Sequence, residues 1–350
     1  MEKYYTRACN FYHGSISRLK VKNNLALALN GDKNLSFDQL EIISRKSKKV
    51  IHFNEIKKLN KNLRKKVRSD IKIITKKKFF SNLDLSNVPL IMGILNLTPD
   101  SFSDSGKFNK KKNAIIHSKN LISNGCDIID VGGESTRPNA IAVNEKKEWQ
   151  RIRSTLIKLV KLKKFISVDT RKSSVMEKSI KVGVNLINDV SGLSYDPNTI
   201  KIIKKYNIPF VIHHMQGTPK NMQINPKYKN VLLDIYDFFE KKISFIKKKG
   251  IKHQNIIIDP GIGFGKNLKH NITLISKISI FHTLGFPILL GISRKKFIKD
   301  ISGSNDSKVR LGGTVSGALY SMLQGVQILR VHDVNEIKQS IKVFKSITNG

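Results

Sequence analysis

The sequence predicts an α/β fold: a closed (β/α)₈ barrel of the TIM type from about residue 89 to the C-terminus, with an additional N-terminal segment before it. Three observations point there. From Leu90 onward one phrase recurs eight times, a short apolar run, then a polar or glycine-bearing turn, then a longer amphipathic stretch. The runs do not alternate strictly, as suits parallel strands covered on both faces. Residues 90–350 also match the ~250 residues of a closed eight-unit barrel. A doubly wound open sheet is the alternative built from the same repeat.

The eight runs are, in order, LIMGIL (90–95), CDIIDV (126–131), FISV (165–168), VNLIN (184–188), PFVI (209–212), NIIID (255–259), PILLGI (287–292) and VQILRV (326–331). Helical patterns lie between them. In WQRIRSTLIKLVKLKKF, residues Ile152, Leu156 and Leu159 fall on one stripe. The stretch from Lys229 repeats apolar groups at three- and four-residue steps and closes on Gly250, a residue suited to a C-cap.

Charge and cysteine usage bound the class. With 64 Lys+Arg against 26 Asp+Glu the chain carries +38, which brings nucleic acid or membranes into question. The excess is mostly lysine spread through helices and tails, and a basic surface attracts small anions equally well. Specific nucleic-acid binding is therefore not expected. No apolar stretch approaches the ~18 residues of a membrane span, and the N-terminus has no secretory apolar region. Cys9 and Cys126 form no framework or metal spacing, which fits a reducing compartment. A cytoplasmic protein is expected; organellar targeting stays open.

In such a barrel the C-terminal strand ends meet at one mouth, where active sites lie. These runs end in Asn96, Asp169, Asn188 with Asp189, His213 with His214, Asp259, Ser293-Arg294-Lys295, and Arg330 with His332. Polar residues could simply mark strand exits, but amide, carboxylate and cation at nearly every exit read as a site. Arg330, His332, Arg294 and Lys295 form a donor cluster suited to diphosphate or carboxylate. Gly312, Gly313 and Gly317 stand where a ligand or a helix could approach closely. Asp169, Asn188 and Asp259 form an acceptor surface for ring N–H and NH₂ groups, able to stabilise positive charge on a heterocycle; capping of the next helix is the alternative for Asp169 and Thr170. The run DPGIGFGKN (259–267) has neither dinucleotide-fingerprint nor P-loop spacing. Side chains of His213 and His214, adjacent on a strand, diverge and make no metal pair.

Eight motifs in order make the chain resemble the dihydropteroate synthase family over residues 89–350: IMGILNLTPDSFSD (91–104), DIIDVGGESTRP (127–138), SVDTRK (167–172), LINDVSG (186–192), HMQGTPKNMQ (214–223), DPGIGFGK (259–266), GISRKKF (291–297) and RVHDV (330–334). The resemblance implies joining of a dihydropterin methyl diphosphate to 4-aminobenzoate in folate biosynthesis, with magnesium, by an enzyme that sulfonamides inhibit and that is a homodimer. It implies that Asp169, Asn188, Asp259 and Lys295 hold the pterin, with His213 and Phe264 beside it. Asn96, Arg330 and His332 would hold the diphosphate, with the metal at Asn96. Thr136, Arg137, Pro138, Phe264, Ser293 and Lys295 would border the aminobenzoate pocket. Asp100 and Phe102 match residues near the reacting centre on the first of two long loops, 96–112 and 132–145, whose length suits lids. Three positions depart from the family pattern: His213 where methionine is common, and Ser105 and Asn139 where glycine is common. A rival within pterin chemistry, methyl transfer to or from a reduced folate, has no diphosphate for Arg330 and His332.

Residues 1–88 hold 21 Lys+Arg against 7 Asp+Glu and differ in character from the barrel. LALAL (25–29) and VIHF (50–53) look strand-like between charge-dense runs. A small accessory layer on the barrel, a flexible basic arm, and a nucleic-acid or membrane contact are the three readings. The aromatics Tyr4, Tyr5, Phe11 and Tyr12 cluster at one end instead of interleaving with the basic run, unlike a single-strand-binding platform.

Overall fold

The computed structural model describes residues 2–81, 83–98, 107–136 and 140–349, without the side chains of 107–112. Its N-terminal part is a folded layer. The long strand β3 (Asp32–Ile43) pairs antiparallel with β1 (Tyr5–His13) on one side and with β2 (Leu27–Leu29) and β4 (Lys48–His52) on the other. Two helices join it, α1 (Gly14–Lys22) and α2 (Lys61–Thr75). Through the dense charge of α2 runs a hidden stripe, Leu63, Val67 and Ile74, which enters a cluster with Ala8, Phe37 and Leu40. Asp70 on the same stripe is buried but satisfied by Thr6 Oγ1 at 2.6 Å and Lys66 Nζ at 2.5 Å.

The layer docks on the outside of the barrel. Tyr5 stacks edge-on against Tyr236 at 5.1 Å, and its hydroxyl donates to Asp237 at 2.8 Å. Arg45 grips Asp234 and Asp237, both at 2.8 Å. Ser279 Oγ donates to the Ala8 carbonyl at 2.8 Å, and Lys277 pairs with Glu41 at 2.8 Å.

All eight apolar runs are strands: β5 (Leu90–Asn96), β6 (Ile128–Gly132), β7 (Phe165–Asp169), β8 (Leu186–Asp189), β9 (Phe210–His213), β10 (Ile256–Asp259), β11 (Leu289–Gly291) and β12 (Ile328–Val331). Every pairing is parallel, in the order β10-β9-β8-β7-β6-β5-β12-β11. A bridge between Ile258 and Ile288 joins the two end strands, so the sheet closes. The open-sheet alternative is thereby removed. The barrel helices are α3 (Lys107–Ser123), α4 (Glu145–Val160), α5 (Ser173–Val182), α6 (Thr199–Tyr206), α7 (Val231–Lys248), α8 (Leu268–Ser276), α9 (Lys296–Ser302), α10 (Leu311–Leu323) and α11 (Val334–Asn349). The stripe Ile152, Leu156 and Leu159 of α4 is fully buried, and Gly250 follows α7 in the left-handed region.

Strand parity then fixes where the site lies. One parity, including Ile129, Val168, Ile187, Ile212, Ile258 and Leu329, packs with the helices. The other supplies an inner cluster of Met92, Ile128, Leu186, Val211, Ile257, Leu289 and Ile328, with Phe80 from the connecting segment seated among them. Two residues further along each of six of these strands stand Asp130, Asn188, His213, Asp259, Gly291 and Arg330. A strand side chain returns to the same face every second residue, so the polar tier sits directly above an apolar floor. Among the described residues no helix is long and apolar enough to cross a membrane.

Candidate active site

Arg330 lies at the centre of that polar tier. From β12 its Nε donates to Asp130 Oδ2 at 2.6 Å and an Nη donates to Asp169 Oδ2 at 3.0 Å, so one guanidinium ties β12 to β6 and β7 across the interior. Asp130 also accepts from Asn188 Nδ2 at 3.2 Å. Burial pushes Asp169 upward from the usual carboxylate range, opposed by Arg330. The mouth therefore holds Arg330 in a pre-formed carboxylate cradle.

The second half of the mouth is built by β10 and the turn after β11. Asp259 is buried; its Oδ1 accepts from Gly261 N at 2.8 Å, and burial raises its carboxyl against the pull of Lys295. Lys295 Nζ donates to the Ile262 carbonyl and sits 4.6 Å from the Phe264 ring centroid; burial pushes it down to about 8. His213 packs edge-on against Phe264 at 4.5 Å, with Nδ1 3.1 Å from the Val190 carbonyl and Nε2 4.0 Å from Asp259. Burial drives its imidazole well below the usual value, so it faces the mouth as a neutral ring. Ser293 Oγ and His332 Nδ1 are 3.0 Å apart on neighbouring strand ends. Asn96 ends β5 opposite Gly132, where an added Cβ would lie 3.4 Å from its Oδ1 and 3.7 Å from Asp169 Cβ. The Asn96 amide oxygen is a hard oxygen donor of the kind magnesium accepts, and substrate phosphates and water would have to supply the rest of the coordination.

The structure thus brings together Asn96, Asp169, Asn188, His213, Asp259, Phe264, Ser293, Lys295, Arg330 and His332 at the C-terminal ends of the strands. Thr136 is half-buried on the loop after β6. Asp100, Phe102, Ser105, Arg137, Pro138 and Asn139 lie outside the described residues. Some expectations shift. The Arg294 guanidinium is taken up by Asp333, with Nε 3.0 Å from Oδ2. Gly313 and Gly317 serve packing: a Cβ would meet Ile298 at 2.4 Å and Ile292 at 2.9 Å. In the turn after β10, Gly261, Gly263 and Gly265 all have positive φ, and a Cβ on Gly261 would come within 2.0 Å of the His214 carbonyl. His214 diverges from His213, with Nδ1 3.0 Å from the buried Lys266 ammonium. Thr170 does not cap α5 directly; Ser173 N takes Asp196 instead, at 2.8 Å.

Two groups escaped the sequence reading. Asp130 was hidden inside CDIIDV, though a carboxylate in mid-strand was itself a signal. The other is a buried ion network, in which Glu134 accepts from Arg171 at 3.0 Å and pairs with Lys172 at 2.9 Å, while Lys172 also reaches Glu148 at 2.5 Å. Glu134 Oε1 accepts from Val143 N at 2.8 Å, and Arg151 donates to the Gly133 carbonyl at 2.7 Å, so both ends of the 133–144 loop are fastened.

Comparison with known proteins agrees with this geometry. The pterin binding enzyme family model matches residues 92–332. The dihydropteroate synthase of Escherichia coli K12 is 41% identical over 267 residues, 76% of this chain and 94% of that one. That of Haemophilus influenzae is 42% identical over 270 residues, 77% of this chain and 97% of that one. Among solved structures, Yersinia pestis dihydropteroate synthase in a sulfonamide drug complex aligns with a TM-score of 0.72 at 39% identity, covering 77% of this chain and 97% of that one. The Xanthomonas albilineans enzyme in complex with 7,8-dihydropteroate aligns with a TM-score of 0.69 at 32% identity, covering 77% and 96%. The N-terminal layer precedes the matched family segment.

Proposed function

Since the chain belongs to the dihydropteroate synthase family of pterin-binding enzymes, we propose that it condenses (7,8-dihydropterin-6-yl)methyl diphosphate with 4-aminobenzoate to give 7,8-dihydropteroate and diphosphate. The observation that carries this is the shared mouth: Asp169, Asn188 and Asp259 stand at the same strand ends as Arg330, Lys295 and His332, with Arg330 bonded directly to Asp169. A ligand with a donor-rich ring and an anionic tail meets both sets at once.

Asp169, Asn188 and Asp259 take the ring N–H and NH₂ groups, and Lys295, whose Nζ lies over the Phe264 ring, donates to the pterin. The apolar floor beneath sets the depth of the ring. Arg330 and His332 hold the diphosphate. Asn96 would hold magnesium, which when bound supplies positive charge to the leaving group. The carbon–oxygen bond to the diphosphate breaks, its electron pair leaving with the oxygen, and the positive charge spreads into the electron-rich dihydropterin. Buried carboxylates stabilise that cation more than the neutral ground state, so they lower the barrier. The arylamine nitrogen then forms the carbon–nitrogen bond and releases a proton. By the family resemblance Thr136, Arg137, Pro138, Phe264 and Ser293 would border the aminobenzoate, and Asp100 and Phe102, which with Arg137 and Pro138 lie outside the described residues, would serve to exclude water from the reacting carbon. Family membership supports a homodimer, and the free thiols of Cys9 and Cys126 support a reducing, cytoplasmic site of action.

The test is a coupled assay of dihydropteroate formation with each substrate and magnesium omitted in turn, on the wild type, Asp259→Asn and Lys295→Ala. Product that requires both substrates, with each variant reduced about 100-fold or more, supports the assignment. Near-normal turnover in both variants removes it.

A further inference from the structure

Asp130 is the one carboxylate of the polar tier to which no ligand has been given. It is fully buried, and its Oδ2 accepts from both Arg330 Nε and Asn188 Nδ2. Among the described residues the opposite end of that amide, Asn188 Oδ1, is buried and lacks a donor. A carboxylate oxygen already paired with a guanidinium can only accept. The Asn188 amide must therefore turn its NH₂ toward Asp130 and its carbonyl oxygen away from it, where it is buried and still awaits a donor. We propose that Asp130 is a positioning residue that fixes the Asn188 amide, so that the pterin ring meets an acceptor at this point and never a donor.

The idea rests on the pterin reading above and deepens it. Asparagine is by nature ambidextrous: rotated by half a turn it exchanges donor for acceptor at the same place. A site meant for ring N–H groups cannot tolerate that exchange, because an NH₂ aimed at an N–H leaves both unpaired in a dry cavity. The Arg330 pair adds a second consequence. One oxygen of Asp130 serves the residue that faces the diphosphate and the residue that faces the ring, so the two subsites share an anchor.

The distinguishing experiment measures affinity for 6-hydroxymethyl-7,8-dihydropterin, a ring without the diphosphate, by calorimetry on the full-length protein. Asp130→Ala removes the acceptor and should weaken binding about tenfold, as should Asn188→Ala. The double variant should lose no more than about tenfold, whereas independent roles would multiply to about 100-fold. Asp130→Asn keeps an acceptor oxygen in place while losing the charge, and should retain affinity within about threefold. Multiplying losses, or an Asp130→Asn loss as large as that of Asp130→Ala, would overturn the proposal. If Asp130→Ala does not fold, neutron diffraction of the wild-type pterin complex decides the matter. Deuterium on the Asn188 atom facing Asp130 supports it; deuterium on the atom facing the ring refutes it. Wild-type protein that does not bind the pterin at all would instead sink the pterin reading.

Discussion

Lys172→Met tests how much the buried ion network beside the 133–144 loop stabilises the fold. Lys172 Nζ bridges Glu134 at 2.9 Å and Glu148 at 2.5 Å, and the Glu148 side chain is fully buried. Glu134 would keep Arg171, but Glu148 would lose its cation. Removing one member of a buried pair costs about 3–5 kcal/mol, chiefly because the remaining charge is left uncompensated. Burial already raises the Glu148 carboxyl above its ordinary 4.5, opposed first by Lys172; without Lys172 it rises further. A carboxyl whose folded-state pKa exceeds its unfolded one binds more protons when folded, so stability falls as pH rises through that window. The variant should therefore lie close to wild type near pH 4.5 and fall increasingly behind toward pH 7.5. Urea unfolding at several pH values reads this directly. A deficit below about 1 kcal/mol at pH 7.5, or one independent of pH, would refute the reasoning.

Lys295 should govern a basic limb in substrate binding. Its ammonium is pushed down to about 8, so its charge fades as pH rises through that value, and KM for the pterin diphosphate should rise about tenfold by pH 9; Lys295→Ala should lack the inflection. Phe80→Ala should cost about 3–5 kcal/mol in urea unfolding, since Phe80 is buried in the inner cluster. Its kcat should stay near wild type, because the floor lies a tier below the chemistry. Within the N-terminal layer, Leu63→Ala should cost about 2–5 kcal/mol and Arg45→Ala less than about 1 kcal/mol, as Arg45 is 43% exposed. Equal losses in the last pair would mean the layer is held by its rim and not by its apolar cluster.

The barrel was legible because its signal is redundant. Each strand was a β-branched run closed by a polar exit, and eight repetitions outweigh ambiguity in any one. Site residues at strand ends were legible for the same reason: Asp169, Asn188, Asp259 and Arg330 each break an apolar run at its end. Asp130 breaks its run two residues earlier and was read as part of the strand, although its parity with Ile128 places it on the inner face. Arg294 erred in the other direction, since adjacency to Lys295 cannot reveal that Asp333, 39 residues later, takes its guanidinium. In the N-terminal layer the charge masked the pattern. Leu63, Val67 and Ile74 keep helical spacing, but lysines and arginines between them made the segment resemble a solvated arm. Strand β3 was missed because Asp38, Gln39 and Glu41 interrupt its apolar residues, and those groups find partners only in tertiary structure, as Glu41 does in Arg7 and Lys277.

The same distinction explains why charge was a poor guide to function here. Most of the +38 lies on exposed lysines, where water and salt screen it within about 10 Å. Inside the mouth the balance is nearly even: Arg330 and Lys295 face Asp130, Asp169 and Asp259 with little water to screen them. A few buried charges of known partner therefore set what can bind, and the surface excess sets only how readily anions of any kind arrive. In the free protein Arg330 is bound to two carboxylates, one of them Asp169, which is also assigned to the ring. A bare diphosphate must compete with Asp130 and Asp169 for that guanidinium, whereas a pterin diphosphate supplies ring donors to the carboxylate it displaces. On the pterin reading that exchange would favour a ligand carrying both groups at the right separation, a selectivity set by the pairing of Arg330 and Asp169 and not by the net charge.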